Sequence, residues 1–103
     1  MKQHTEKHKS TLPTPRAIRR ACSRELYRTV KRLNIFIPDD KLSAAEDLYY
    51  RKVIDNVFWI YEHRDNRKKQ ADWFVEEVAP EIAALWEVDA AAVARAFRDG
   101  YGG

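Results

Sequence analysis

Residues Ile82–Phe97 read IAALWEVDAAAVARAF, and the spacing inside this stretch decides what the chain can fold into. Apolar residues recur at helical steps on either side of Glu87, Val88 and Asp89. Ile82, Ala83 and Leu85 share the inner face of a helix that opens at Pro80 and ends at Trp86. Proline suits a first helical turn, where its missing N–H has no partner to lose. Asp89 can cap a second helix through Phe97 or Arg98, which GYGG then terminates. Ala83 is small enough for two helices to cross closely, Val88 plugs the corner, and Val93, Ala96 and Phe97 anchor the second helix. The stretch predicts two short helices meeting at a tight corner.

Working outward, ADWFVEEVA (residues 71–79) predicts a preceding helix with Phe74, Val75 and Val78 inward, and HRDNRKKQ (63–70) a charged loop. Ser43 with Glu46 three residues on is a capping-box pattern. It opens a helix to Tyr61 whose wide apolar face holds Tyr50, Val53, Ile54, Val57, Phe58 and Tyr61, broadened by Tyr49 and Ile60. So much apolar circumference predicts the central helix of the fold. Its other face carries Asp47, Arg51 and Asp55 at four-residue steps, with Leu48 and Trp59 almost in line on the same side. That apolar strip is either covered by another segment or offered to a partner. IFIP (35–38) reads as an extended strap or a short strand, because the residue before proline avoids the helical region. Asp39 and Asp40 after Pro38 read as aids to helix initiation. Thr14 and Pro15 open a helix through Leu33, with Ile18, Cys22, Leu26, Thr29 and Leu33 in one narrow stripe. Residues 1–13 read as a flexible basic tail, and 14–103 as a single all-α domain of about five helices.

The composition agrees. Of 103 residues, 45% are hydrophobic, enough for one modest core, and all three glycines fall at the end. No apolar run approaches the roughly 20 residues that cross a bilayer, so no membrane partner is expected. A single cysteine, Cys22, excludes an internal disulfide and fits a cytoplasmic location. The net charge of +3 conceals a division. Residues 1–33 hold ten Lys/Arg and two acidic side chains, whereas from Gln70 onward seven acidic residues face two arginines. The chain is a basic front joined to an acidic back.

In the register set above, Ile82–Phe97 resembles the opening motif of lac-type bacterial repressors, over about 16 of 103 residues. The resemblance implies that the last three helices form a helix-turn-helix-like unit and that the chain contacts DNA. Two departures bear on that expectation. Glu87 stands where the motif usually has glycine, so a left-handed turn there carries a cost of about 1 kcal/mol. Where polar side chains should face base edges, this chain has Asp89, Ala90, Ala91, Ala92 and Ala94. Arg95 and Arg98 are the favourable groups, and Glu76, Glu77, Glu81, Glu87 and Asp99 surround them with negative charge. The segment is therefore either a base reader or a compact corner whose alanines receive another helix.

The better nucleic-acid surface lies upstream. Arg16, Arg20, Arg24, Tyr27, Arg28 and Lys31 share the face opposite the apolar stripe of the first helix. Arginine forks onto phosphate oxygens and an interleaved tyrosine can stack on a base. Lys2, Lys7 and Lys9, and the loop residues Arg67, Lys68 and Lys69, add further positive charge. The same helix can instead pair with the acidic back, within the chain or across a homodimer. Two functions follow: a nucleic-acid-associated regulatory or accessory protein holding DNA or RNA on its basic helix, or a protein-interaction module, an inhibitor or adaptor. The second would use the acidic residues Glu76, Glu77 and Glu81, or the Leu48 and Trp59 strip. Catalysis is not expected. There is no glycine-rich phosphate loop, Cys22 sits on an apolar stripe, and His4 and His8 lack further ligands nearby. No cofactor or metal is implied.

Overall fold

A computed structural model describes residues 12–103. Six helices occur among them: α1 (Pro15–Leu33), α2 (Asp39–Asp55), α3 (Val57–Glu62), α4 (Arg67–Glu77), α5 (Ala79–Trp86) and α6 (Ala90–Tyr101). There is no strand among the described residues, so the chain is all-α. The expected tail, with Lys2, Lys7, Lys9, His4 and His8, falls outside the described residues apart from its last two positions.

α1 forms as its sequence dictates. Thr14 Oγ1 accepts from the Ala17 N–H at 3.1 Å, Pro15 fills the first turn, and Asn34 closes the helix in the left-handed conformation. Ile18, Cys22, Leu26 and Thr29 are its buried stripe. Thr29 satisfies its hydroxyl on the Glu25 carbonyl, at 2.9 Å. In the connector no strand forms: Ile37 is buried, while Phe36 is 86% exposed.

The middle of the chain departs from expectation in three places. α2 starts at Asp39, not at the Ser43 capping box. Pro38 is extended, and Asp39 and Asp40 in the first turn oppose the helix dipole, so that start wins. Glu46, freed from capping, accepts from Ser23 Oγ of α1 at 3.1 Å. Next, the long helix expected through Tyr61 is interrupted at Asn56, whose side chain donates to the Lys52 carbonyl at 2.9 Å. Asparagine competes with the backbone in this way and weakens a helix interior. The register linking Leu48 to Trp59 is reset by this break, and the two lie on separate helices. Finally, the loop expected over His63–Gln70 is partly helix: Asn66 Oδ1 accepts from the Lys69 N–H at 2.9 Å and opens α4 at Arg67.

The C-terminal helices follow the spacing. α4 ends at Glu77 with Val78 as its cap, and Pro80 sits in the first turn of α5. Glu87 is left-handed at φ 58°. The Val88 N–H bonds the Ala83 carbonyl at 3.0 Å and the Glu87 N–H the Ala84 carbonyl at 3.3 Å, the pairing of a Schellman cap. Asp89 then accepts from the Ala92 N–H at 3.2 Å and opens α6. α6 runs past the expected end at Phe97 or Arg98 to Tyr101, and stops at Gly102, φ 94°. Gly100 lies inside it because α1 comes close there: a Cβ at Gly100 would stand 3.2 Å from the Cβ of Arg28.

The core is an aromatic stack. Phe74 and Phe97 lie face to face with centroids 3.7 Å apart, Tyr49 meets Phe74 edge-on at 5.0 Å, and Leu26, Val78, Ile82 and Val93 are fully buried around them. The most extensive helix pair is α1 with α6, so the expectation that the helix after Ser43 is central is corrected. Only Ala45 and Tyr49 of α2 are fully buried, α3 buries none of its residues, and Phe58 is 71% exposed.

Candidate functional site

The expected nucleic-acid residues of α1 lie on one exposed surface. Arg16, Arg20, Arg24, Arg28 and Lys31 are all exposed, and Tyr27 is 60% exposed. The stripe from Arg16 to Lys31 is about 22 Å long at the helical rise. None of these five cations makes an ion pair among the described residues. Arg19, one step around the helix, differs: it bonds Asp47 of α2 at 2.6 Å. Toward the end of α1, Arg24, Tyr27, Arg28, Lys31 and Arg32 enclose a shallow groove, with Lys31 Nζ 5.5 Å from the Tyr27 ring centre. Arg32 belongs to this group and its exposure is plain in the fold, although its position beside the apolar stripe left it off the expected face.

The two C-terminal arginines are treated differently. Arg95 is exposed on α6. Arg98 is half-buried and committed, donating to Asp72 at 2.6 Å and to the Gly103 carbonyl at 3.0 Å. With Lys68 on its other oxygen, Asp72 is held below the usual carboxylate range, first by the Arg98 bond and then by the Lys68 bond. Ala90 and Ala91 are exposed, whereas Val93, Ala96 and Phe97 face inward.

Of the expected partner residues, Glu76 and Glu77 are exposed. Glu81 is bonded by Lys52, tying α5 to α2. Leu48 packs against the core, and Trp59 lies over His63 with ring centres 4.4 Å apart. These residues are not gathered into one surface strip along a single helix.

Sequence reasoning missed a cavity of about 320 Å³ bordered by five of the helices. Val53, Val57 and Ile60 supply aliphatic wall, and Tyr61, Trp73 and Tyr101 aromatic wall. Pro13, Ala17 and Arg64, all exposed, mark its rim. This explains why the wide apolar face around Val53 and Val57 is only half-buried: it borders space. At the inner side stand Cys22, Glu25 and Tyr49. The Tyr49 hydroxyl donates to Glu25 Oε1. Burial pushes the Glu25 carboxyl up, against the pull of the Tyr49 bond and of Arg67, Arg28 and Arg24. Burial likewise raises the phenol of Tyr49 well above its ordinary value, and Glu25 adds to the rise. The Cys22 thiol is pushed up to about 12, chiefly by burial. One signal was available in the chain: Glu25 lies seven residues after Ile18 and three after Cys22, a carboxyl on the apolar stripe itself.

No group of three or more His, Cys, Asp or Glu side chains suited to a metal occurs among the described residues. No helix among them is long and apolar enough to cross a membrane. No protein-family model, curated protein or solved structure matches the chain.

Proposed function

We propose that the protein is a non-catalytic, nucleic-acid-associated regulatory or accessory protein that holds phosphate on the outer face of α1. The observation that supports this reading is the row Arg16, Arg20, Arg24, Arg28 and Lys31, exposed and outside any ion pair among the described residues, in a chain that pairs Arg19, Lys41, Lys52, Lys68 and Arg98 internally. Unpaired cations spaced along one surface release counter-ions when they meet a polyanion, and that release drives sequence-tolerant binding. Exposed Tyr27 inside the row offers a stacking surface, which favours a single strand over a duplex. α6 acts in this reading as the packing partner that holds α1 in place, and Arg95 as a peripheral contact. The test is anisotropy of a labelled oligonucleotide across a salt series. Affinity should fall steeply with salt, and Arg16→Ala and Arg20→Ala should each lower the slope by about one. Absence of binding at low salt would overturn the reading and leave the protein-interaction alternative through exposed Glu76 and Glu77.

A further inference from the structure

We propose that the cavity among α1, α2, α3, α4 and α6 is a binding site for a small apolar ammonium ion, with Glu25 as its counter-charge and aromatic side chains as its walls. The inference is independent of the nucleic-acid reading, since it rests on the inner side of α1. At about 320 Å³ the cavity falls at the low end of the roughly 300–1,000 Å³ found for ligand sites, so its ligand is compact.

The polar inventory selects the ligand's charge. Gln70 is fully engaged: its Nε2 donates to the Ile60 and His63 carbonyls at 2.9 and 2.7 Å, and its Oε1 accepts from the Tyr101 hydroxyl at 2.7 Å. Arg64 donates to the Tyr61 carbonyl at 2.7 Å and lies over the Tyr61 ring, at the rim. The Cys22 thiol is neutral near neutral pH. Glu25 differs. Oε1 takes the Tyr49 hydroxyl, and Oε2 accepts no hydrogen bond among the described residues. No sealed side-chain oxygen of those residues lacks a partner, so Oε2 is open to solvent, and Glu25 is one of the residues that border the cavity.

A carboxyl bordering a cavity walled by Tyr49, Tyr61, Trp73 and Tyr101 suits a cation, and two of these rings already hold one: Arg64 lies over Tyr61 and Arg67 over Tyr101. Aromatic rings attract ammonium through their quadrupoles, most strongly where water is excluded, and a carboxylate adds a charge-assisted contact. A neutral apolar molecule would leave the carboxyl without a partner. An anion would set its charge against Glu25, whose carboxyl already draws on Arg67, Arg28 and Arg24, with Arg64 at the rim as the lining cation.

Three probes of similar size separate these cases: benzyltrimethylammonium, phenylpropanol and phenylbutyrate, each titrated calorimetrically into the full chain while tryptophan emission is followed. The ammonium should bind about tenfold more tightly than the other two, from ring and carboxylate attraction together. Glu25→Gln keeps the shape and the Tyr49 contact, and should reduce that preference to the part the rings supply while leaving phenylpropanol affinity unchanged. Equal affinities, a preference for phenylbutyrate, no binding by any probe, or a preference undiminished in Glu25→Gln would each overturn the proposal. Should Glu25→Gln not fold, the three-probe comparison on the native chain decides alone.

Discussion

Glu25 is the residue whose environment most constrains the chemistry of this protein. Its carboxyl is pushed up mainly by burial, so folding favours the protonated form. Between the ordinary glutamate value and the raised one, the native state therefore holds more protons than the unfolded chain. Stability contributed by this group is fully present below that window and falls as pH rises through it, the reverse of a salt-bridged carboxylate. Asp72, held low by Arg98 and Lys68, works in the opposite sense and loses its contribution as the solution is acidified through its lowered value. Urea melts across mildly acidic pH on the native chain and Glu25→Gln should show the gap closing in favour of the variant as pH rises. Parallel curves would show that Glu25 titrates as an ordinary surface carboxyl. Much at this scale was legible in the sequence: Thr14, Asp89 and the inward Ile18, Leu26, Phe74, Val78 and Val93 do as their neighbours dictate. Glu25 is not legible there, because a carboxyl on an apolar stripe has the pattern of an interruption, and its partner Tyr49 comes from α2.

At the scale of the element, the corner after α5 shows how tertiary packing overrides local preference. Glu87 takes the left-handed conformation that glycine normally fills, because the Schellman bonds and the short span to Asp89 leave no alternative. An L-residue there carries about 1 kcal/mol of strain, offset in part by the greater unfolded-state freedom of glycine. Glu87→Gly should therefore stabilise by about 0.5 kcal/mol, read as a higher urea midpoint at unchanged slope. Its weak, exposed pair with Lys41 at 3.6 Å subtracts little. A drop of similar size would mean that the left-handed turn is unstrained. Helix existence and type were legible from periodicity, while starts and stops were less so. Asn56 and Asn66 each follow an aspartate, yet one interrupts a helix and the other opens one. Sequence marks each as a competitor for backbone bonds, and only the packing of α3 and α4 decides which bond it takes.

Across the whole molecule, α1 carries two faces with opposite requirements. Outward it presents cations that form no ion pair among the described residues, and inward it places Glu25 at the border of a cavity. The charge division of the chain made the first face legible, whereas the cavity, built from five helices far apart in sequence, has no one-dimensional signature. The faces are coupled unequally along the helix. Arg24 and Arg28 lower the Glu25 carboxyl through space, together with Arg67, whereas Arg16 and Arg20 are not among the largest influences on it. The groups facing Glu25 are Tyr49 of α2, Arg67 of α4, Tyr101 of α6, and Arg24, Arg28 and Cys22 of its own helix. Ammonium binding needs the carboxylate, so it should rise with pH as Glu25 ionises. Removing Arg28 takes away a positive neighbour, raises the Glu25 carboxyl further, and shifts that rise to higher pH. Arg28→Ala should thus weaken oligonucleotide binding and also displace the pH profile of benzyltrimethylammonium binding upward. Arg16→Ala should weaken the oligonucleotide alone. Anisotropy and calorimetry on the same two variants read both effects, and a pH profile moved equally by both substitutions would mean that Glu25 senses the net charge of α1, not its nearest cations.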